Sequence, residues 1–264
     1  MSVALATAWN PRGELNRFLN LLTVFQKGYD GMAFSLPPSA ETRLVKQLND
    51  LPQVAVNVTK DWSHGRYLAL SSAAEFAATH IQYADFDRIL RWVETRPGEW
   101  HQVLKQITEH DCIIIGRSSA SYQTHPRALV ETEAISNLVV SHLVGQPMDV
   151  SAGSKSFSKH ACRTILMNSE PGNALGTDAE WPLILKQLGF RVDYIEVDGL
   201  DWESADRYQD KAADPNSQKE AAQMYDADPR NWSQRAAVAM QIVQVGLDTV
   251  SRDFSSTSKP APRG

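Results

Sequence analysis

Residues 80–87 read HIQYADFD, a strand-like apolar run that stops on two aspartates one residue apart, Asp85 and Asp87. Carboxylates this close repel each other, so placing both at a strand terminus calls for a cation, a phosphate group or a shared proton between them. Hard divalent cations favour carboxylate oxygens and keep water and substrate phosphates as their other ligands, and one held here would neutralise a diphosphate leaving group. The plainer reading gives one aspartate to capping the helix that begins near Arg88 and the other to an ion pair with Arg88 or Arg91. Spacing alone does not choose between them.

Working outward, apolar runs of strand length alternate with helix-length periodic segments, the pattern of an α/β layered fold. Val3–Ala8, Gly31–Leu36, Val54–Val58, His80–Ala84, Cys112–Gly116 and Arg191–Val197 read as strands. Between them, 13–27 places Leu15, Phe18, Leu19, Leu22 and Phe25 on one helical face. Further helices are expected from a Ser39 cap to Asn49, over 65–78, 99–108, 127–143 and 178–188, with Gly189 ending the last. The acidic pair therefore falls at the C-terminal end of the fourth strand, the edge at which open parallel sheets bind ligands. After Leu200 the chain turns polar and charged over 201–230, which predicts a mobile or partner-dependent segment. Residues 232–250 are periodic again and pack on the same domain or on a second subunit. The tail 255–264 is expected to be disordered.

The 264 residues suffice for one sizeable core. With 26 basic and 31 acidic side chains the net charge is −5, which argues against broad binding to nucleic acid or anionic membrane. Cys112 and Cys162 lack metal-site spacing and read as buried thiols. The opening MSVALATAWNPRGE lacks an export leader and is too short for a span, predicting a cytoplasmic protein without an integral membrane segment. Phosphate loops of the GxxxxGK[ST] and GxGxxG kinds are missing, as are HExxH and GxSxG, and Ser156–Lys159 fits SxxK without its partner motifs.

The order of motifs resembles the GT-A glycosyltransferases, especially the branch of polyprenyl-phosphate sugar synthases and related nucleotide-sugar enzymes. AWNPRGELNRFL (8–19), with Asn10 and Glu14, is similar to their first strand-to-helix passage, and HGRYLALSSAAEFA (64–77) looks like their Gly-basic helix. HIQYADFD matches their DxD strand, IIIGRSS (113–119) approximates Gly-x-Arg, and DVSAGSKSFSKHACRTIL (149–166) resembles their Asp, Ser-Gly and helix. TDAEWPLILKQLGFRVDYIEV (177–197) matches the acidic helix and following strand. The likeness covers roughly residues 1–200, leaving 201–254 as a charged and helical extension. It implies a three-layer α/β/α sandwich around a mostly parallel sheet. It further implies transfer of a sugar from a nucleotide-diphosphate sugar to an unidentified acceptor. Asp85 and Asp87 would hold Mg²⁺ or Mn²⁺ on the diphosphate. Asp61, Gly65, Arg66 and Arg117 would meet the donor, Gly153, Ser154 and Trp181 would line the sugar or acceptor pocket, and Asp178 or Glu180 would deprotonate the acceptor hydroxyl.

Two departures qualify the likeness. SLPPSAE (35–41) stands where the family carries an aspartate-rich stretch for the base, and no proline follows the acidic pair until Pro97. The first leaves open a non-catalytic domain that binds a nucleotide, a glycan or a partner. A phosphatase of the haloacid dehalogenase type is a further alternative, but that family places its DxD on the first strand. Acids at 178 and 180 also suit a helix N-terminus without any catalytic role. His80, His125 and His160 read as structural first and as metal ligands or acids second, and Trp92 and Trp100 read as core.

Overall fold

A computed structural model describes residues 2–203 and 209–254 of the chain. In chain order the elements are β1 (Val3–Ala8), α1 (Leu15–Gly28), β2 (Gly31–Leu36), α2 (Thr42–Asn49), β3 (Val54–Val58), α3 (Gly65–Ala73) and β4 (His80–Ala84). They continue through α4 (Phe86–Thr95), α5 (Pro97–Ile107), β5 (Cys112–Arg117), α6 (Ser119–Tyr122), α7 (Arg127–Val144), β6 (Ser154–Ser158) and α8 (Lys159–Asn168). The chain then forms α9 (Thr177–Gln187), β7 (Val192–Val197), α10 (Pro215–Asp226) and α11 (Pro229–Val250).

Seven strands form one sheet in the order β3-β2-β1-β4-β6-β5-β7. β6 runs antiparallel to both β4 and β5, and the other neighbouring pairs are parallel. Pleating sends alternate side chains to opposite faces. Val3 and Leu5 of β1, with Ile113 and Ile115 of β5, join the layer that holds Phe18 and Phe25 of α1, Trp92 of α4 and Trp100 of α5. Ala4, Ala6, Cys112 and Ile114 face the layer of Leu70 in α3, Val140 in α7, Ile165 in α8, Trp181 in α9 and Ile242 in α11. The result is the layered α/β fold that the alternation implied, in the form of the three-layer α/β/α sandwich with a mostly parallel sheet that the resemblance implied. Gly189 takes φ +83° after α9, and the Phe190 N–H closes back on the Leu185 carbonyl at 2.9 Å, ending the helix as expected.

Some local expectations need correction. Ser39 caps nothing: α2 starts at Thr42 behind Glu41, which makes no side-chain cap bond. β6 was not legible as a strand, because SKSFS puts Lys155 and Ser156 in a fully enclosed position between β4 and β5. The charged segment after Leu200 is not solvated throughout. Asp201 and Glu203 are buried in ion pairs with Arg91, Glu203 also pairs with Arg17, and 215–226 is helical. α11 packs on α7 and α9 of its own domain. The tail 255–264, expected to be disordered, lies outside the described residues, as do 204–208 of the charged segment. No helix among the described residues is long and apolar enough to cross a membrane.

Candidate functional site

The C-terminal ends of β1 to β4 open into a cleft of about 330 Å³. β1 and the passage after it supply Ala8, Trp9, Asn10 and Arg12, while β2 supplies Ser35, Leu36 and Pro37. Thr59, Trp62, Gly65, Arg66 and Asp85 close it from the other side, with Ala174 and Leu175 at the rim. A recess of about 200 Å³ continues past Asp85 to Phe86 and Asp87. Glu14 braces this entry from within the fold: it accepts from the Trp9 indole at 2.6 Å and from the Arg12 backbone N–H at 2.7 Å.

Asp85 holds the N-cap position of α4 but makes no side-chain cap bond. Its backbone N–H instead donates to the Gly153 carbonyl at 2.9 Å. The carboxylate accepts from Arg66 at 3.0 and 3.1 Å and from the Tyr83 hydroxyl at 2.9 Å. Gly153 adopts φ +71°, and a Cβ there would stand 2.4 Å from Asp85 Oδ2, so only glycine leaves this carboxylate its place. Burial pushes the Asp85 carboxyl above its usual range. Arg66 works against that, while Asp178 and Asp87 add to it by like charge. Asp87, in the first turn of α4, accepts the Arg88 N–H at 2.9 Å. The ion-pair half of the plainer reading fails, because Arg91 belongs to Asp201 and Glu203 and the Arg88 guanidinium reaches the Asp201 carbonyl.

Behind Asp85 lies a chain of alternating charge. Arg66 is 2.8 Å from Asp178, which in turn takes the ammonium of the fully buried Lys155. Burial alone would raise the Asp178 carboxyl, but Arg66 and Lys155 outweigh it and hold the group below the usual range. A carboxylate so stabilised is a weak proton acceptor. Glu180 is fully buried and accepts from Ser169, Asn173 and Arg252 at 2.6 to 2.8 Å. It lines none of the pockets described above.

The remaining expected residues divide clearly. Gly65 and Arg66 line the cleft, and Gly153 and Ser154 underlie Asp85, with Ser154 buried opposite Ala84 in the sheet. Asp61 is exposed and caps the turn at Trp62–His64 through the Ser63 N–H, the contact that lowers its carboxyl. Arg117 is buried against Asp149 and Glu133, with Tyr122 beneath its guanidinium, and does not line the cleft. Trp181 is core: its indole donates to Ser169 Oγ and its ring meets Tyr83 and Phe157 edge-on. The reading of the sequence missed Trp62, 64% exposed at the cleft mouth, and Tyr83 and Lys155. For Tyr83 a signal existed, since residues i and i+2 of a strand share a face and Tyr83 precedes Asp85 by that step.

No protein-family model matches the chain, and no curated protein matches it in sequence. Among solved structures it is similar to mannosyl-3-phosphoglycerate synthase from Rubrobacter xylanophilus. That alignment has a TM-score of 0.54 at 14% identity and covers 99% of this chain and 79% of that one. Glucosyl-3-phosphoglycerate synthase from Mycobacterium tuberculosis, in complex with uridine diphosphate, aligns over 89% of this chain and 80% of that one, with a TM-score of 0.44 and 9% identity. The first likeness, with the sheet order above, identifies the fold as GT-A-like.

Proposed function

We propose that the protein is a glycosyltransferase that takes a nucleotide-diphosphate sugar in the cleft and moves the sugar to an acceptor. The observation that carries this reading is Asp85: a partly buried carboxylate at a strand end, fixed by Gly153 and paired with Arg66, at the floor of a ligand-sized cleft in a GT-A-like fold. Trp62 offers an exposed aromatic face for the base, and the apolar Leu36 and Pro37 stand where an acidic stretch was expected. Arg66 is placed to meet a phosphate oxygen while keeping its bonds to Asp85 and Asp178.

A divalent cation fits the pair Asp85 and Asp87. Burial raises the Asp85 carboxyl and the like charge of Asp178 and Asp87 adds to it, and a cation relieves that repulsion. Among the described residues no cluster of three His, Cys, Asp or Glu side chains forms, but Mg²⁺ and ions like it need only one or two carboxylates beside water and phosphate oxygens. When bound, such an ion supplies charge to the leaving diphosphate. Asp178 then serves to hold Arg66 and Lys155 rather than to take a proton.

A specific observation favours the second reading, a domain that binds without turnover: both acids proposed as the base are already ion-paired inside the protein. Thermal unfolding with UDP-, GDP-, ADP- and dTDP-sugars, with and without Mn²⁺, tests the donor assignment. A ligand at about 100 times its Kd stabilises the native state by roughly 2.7 kcal/mol. A Mn²⁺-dependent shift with one donor, absent in Asp85→Asn and Asp87→Asn, supports the transferase. No shift with any donor sinks it.

A further inference from the structure

The charged residues that line the cleft stand together. Arg66 bonds to Asp85, and Arg12 shares the recess beside Asp85. The rest of the wall around β2 and β3, from Ala8, Leu36, Pro37, Thr59 and Trp62, carries no charge. A flat, neutral group suits that end, and a charged one suits the other.

The backbone of the neutral end has little left to offer a ligand. The Ser35 carbonyl accepts the Trp9 N–H at 2.9 Å, and the Pro37 carbonyl accepts the Ala40 N–H at 3.0 Å. The Leu36 carbonyl takes both the Thr59 N–H at 2.9 Å and the Thr59 hydroxyl at 3.1 Å. Its two lone pairs are thereby used.

The Ser35 hydroxyl is the exception. Ser35 is 2% exposed, lines the cleft, and its Oγ has no hydrogen-bond partner. A buried hydroxyl left unmatched costs free energy that a ligand atom recovers. Room for that atom lies under the start of α3. A Cβ built on Gly65 would stand 3.7 Å from Ser35 Oγ and 3.5 Å from the Ala8 Cβ, both ordinary contact distances. The missing side chain of Gly65 thus leaves an atom-sized gap over the hydroxyl.

We propose that Ser35 determines which nucleobase the cleft accepts, by a single hydrogen bond from its hydroxyl to the base edge in the gap beside Gly65. One hydroxyl oxygen matches the lone ring N–H of uracil or thymine. Guanine presents adjacent N1–H and N2–H groups, and with the carbonyls of Ser35, Leu36 and Pro37 occupied its second donor goes unmatched. Placing a base here rests on the transferase reading above, whereas the open hydroxyl does not.

Calorimetric titration with UDP, dTDP, GDP and ADP in the presence of Mn²⁺ tests it. Wild type is expected to bind UDP or dTDP about tenfold or more tighter than GDP. Ser35→Ala should weaken the preferred nucleotide about fivefold, the effect of one hydrogen bond, and leave GDP unchanged. Gly65→Ala fills the gap and should weaken the preferred nucleotide too. Neither variant should lower Tm without ligand, because the first removes an unmatched group and the second sits at φ −55°, which alanine adopts freely. Ser39→Ala, exposed in the passage after β2, should change nothing. Tighter binding of GDP than of UDP and dTDP, equal affinities in wild type and Ser35→Ala, or failure of all four to bind overturns the assignment. So does a fall of several degrees in the Tm of Ser35→Ala, which would give the hydroxyl a structural partner. Turnover separates the two claims. Ser35-dependent pyrimidine binding without release of nucleoside diphosphate from the sugar donor leaves the assignment standing and removes the transferase reading. Release with no effect of Ser35→Ala on binding does the reverse.

Discussion

Replacing Asp178 by Asn removes the one negative charge between two buried cations. Lys155 is fully buried, and Asp178 is its only hydrogen-bond or ion-pair partner among the described residues, while Arg66 keeps Asp85. Breaking a buried ion pair from one side typically costs about 3–5 kcal/mol, because the remaining charge stays in the interior unmatched. With an unfolding entropy of roughly 2.1 cal/mol/K per residue, 264 residues give about 0.55 kcal/mol/K, so Tm should fall by about 5–9 °C. Adding Lys155→Met to Asp178→Asn should recover part of that loss, a non-additivity expected of contacting groups. The pH dependence has a fixed sign. Asp178 is held below its unfolded value, so its stabilisation is present above about pH 4 and is lost as pH falls through the lower folded value. Wild-type and Asp178→Asn melting temperatures should therefore converge in acid. A variant that melts within about 1 °C of wild type at pH 7, where the unit worked above gives several degrees, would refute the claim that Asp178 is a structural anion and would restore it as a base.

Asp85→Asn should behave oppositely in calorimetry. The folded state raises this carboxyl, so ionised Asp85 weakens the fold as pH rises past its unfolded value, and the amide should melt at or above wild type at pH 7. Gly153→Ala forces a side chain into both a left-handed backbone and the Asp85 carboxylate, so it should cost about 1–2 kcal/mol from the backbone alone and abolish any Mn²⁺-dependent nucleotide shift. Trp62→Ala should leave Tm unchanged, given its exposure, but weaken nucleotide binding by about 1–3 kcal/mol if the base stacks there, as titration would show. Arg91→Met strands Asp201 and leaves Glu203 to Arg17 alone, so it should destabilise by about 3–5 kcal/mol and speed hydrogen exchange in 209–213, whose Ala213 N–H is tied to Glu203.

The sheet was largely legible because its parallel strands are apolar runs closed by glycine, proline or aspartate, and six of seven match segments read from the sequence. β6 was not, since pattern reading takes Lys155 and the serines of SKSFS for surface, and only the partner Asp178 makes that lysine tolerable inside. Asp201 and Glu203 misled for a related reason. Their partners Arg91 and Arg17 are at least 110 residues away, and composition cannot distinguish a solvated charge from one matched across the fold. At the site, the position of Asp85 and its neighbour Tyr83 followed from β4, but its attachment to Arg66 of α3 and to Gly153 before β6 needed two other elements. Trp181 and Glu180 looked accessible only because the turn of α9 that carries them resembles a helix N-terminus at a site. The same turn in the folded chain points both into the core.

Turnover tests the central claim most directly: release of nucleoside diphosphate from the donor that shifts Tm, measured with a panel of hydroxylated acceptors. The account predicts release that requires acceptor and falls at least a hundredfold, about 2.7 kcal/mol of barrier, in Asp87→Asn. Release equal in wild type and Asp87→Asn, or no release with a donor that binds tightly, would contradict it and leave a domain that binds without transferring.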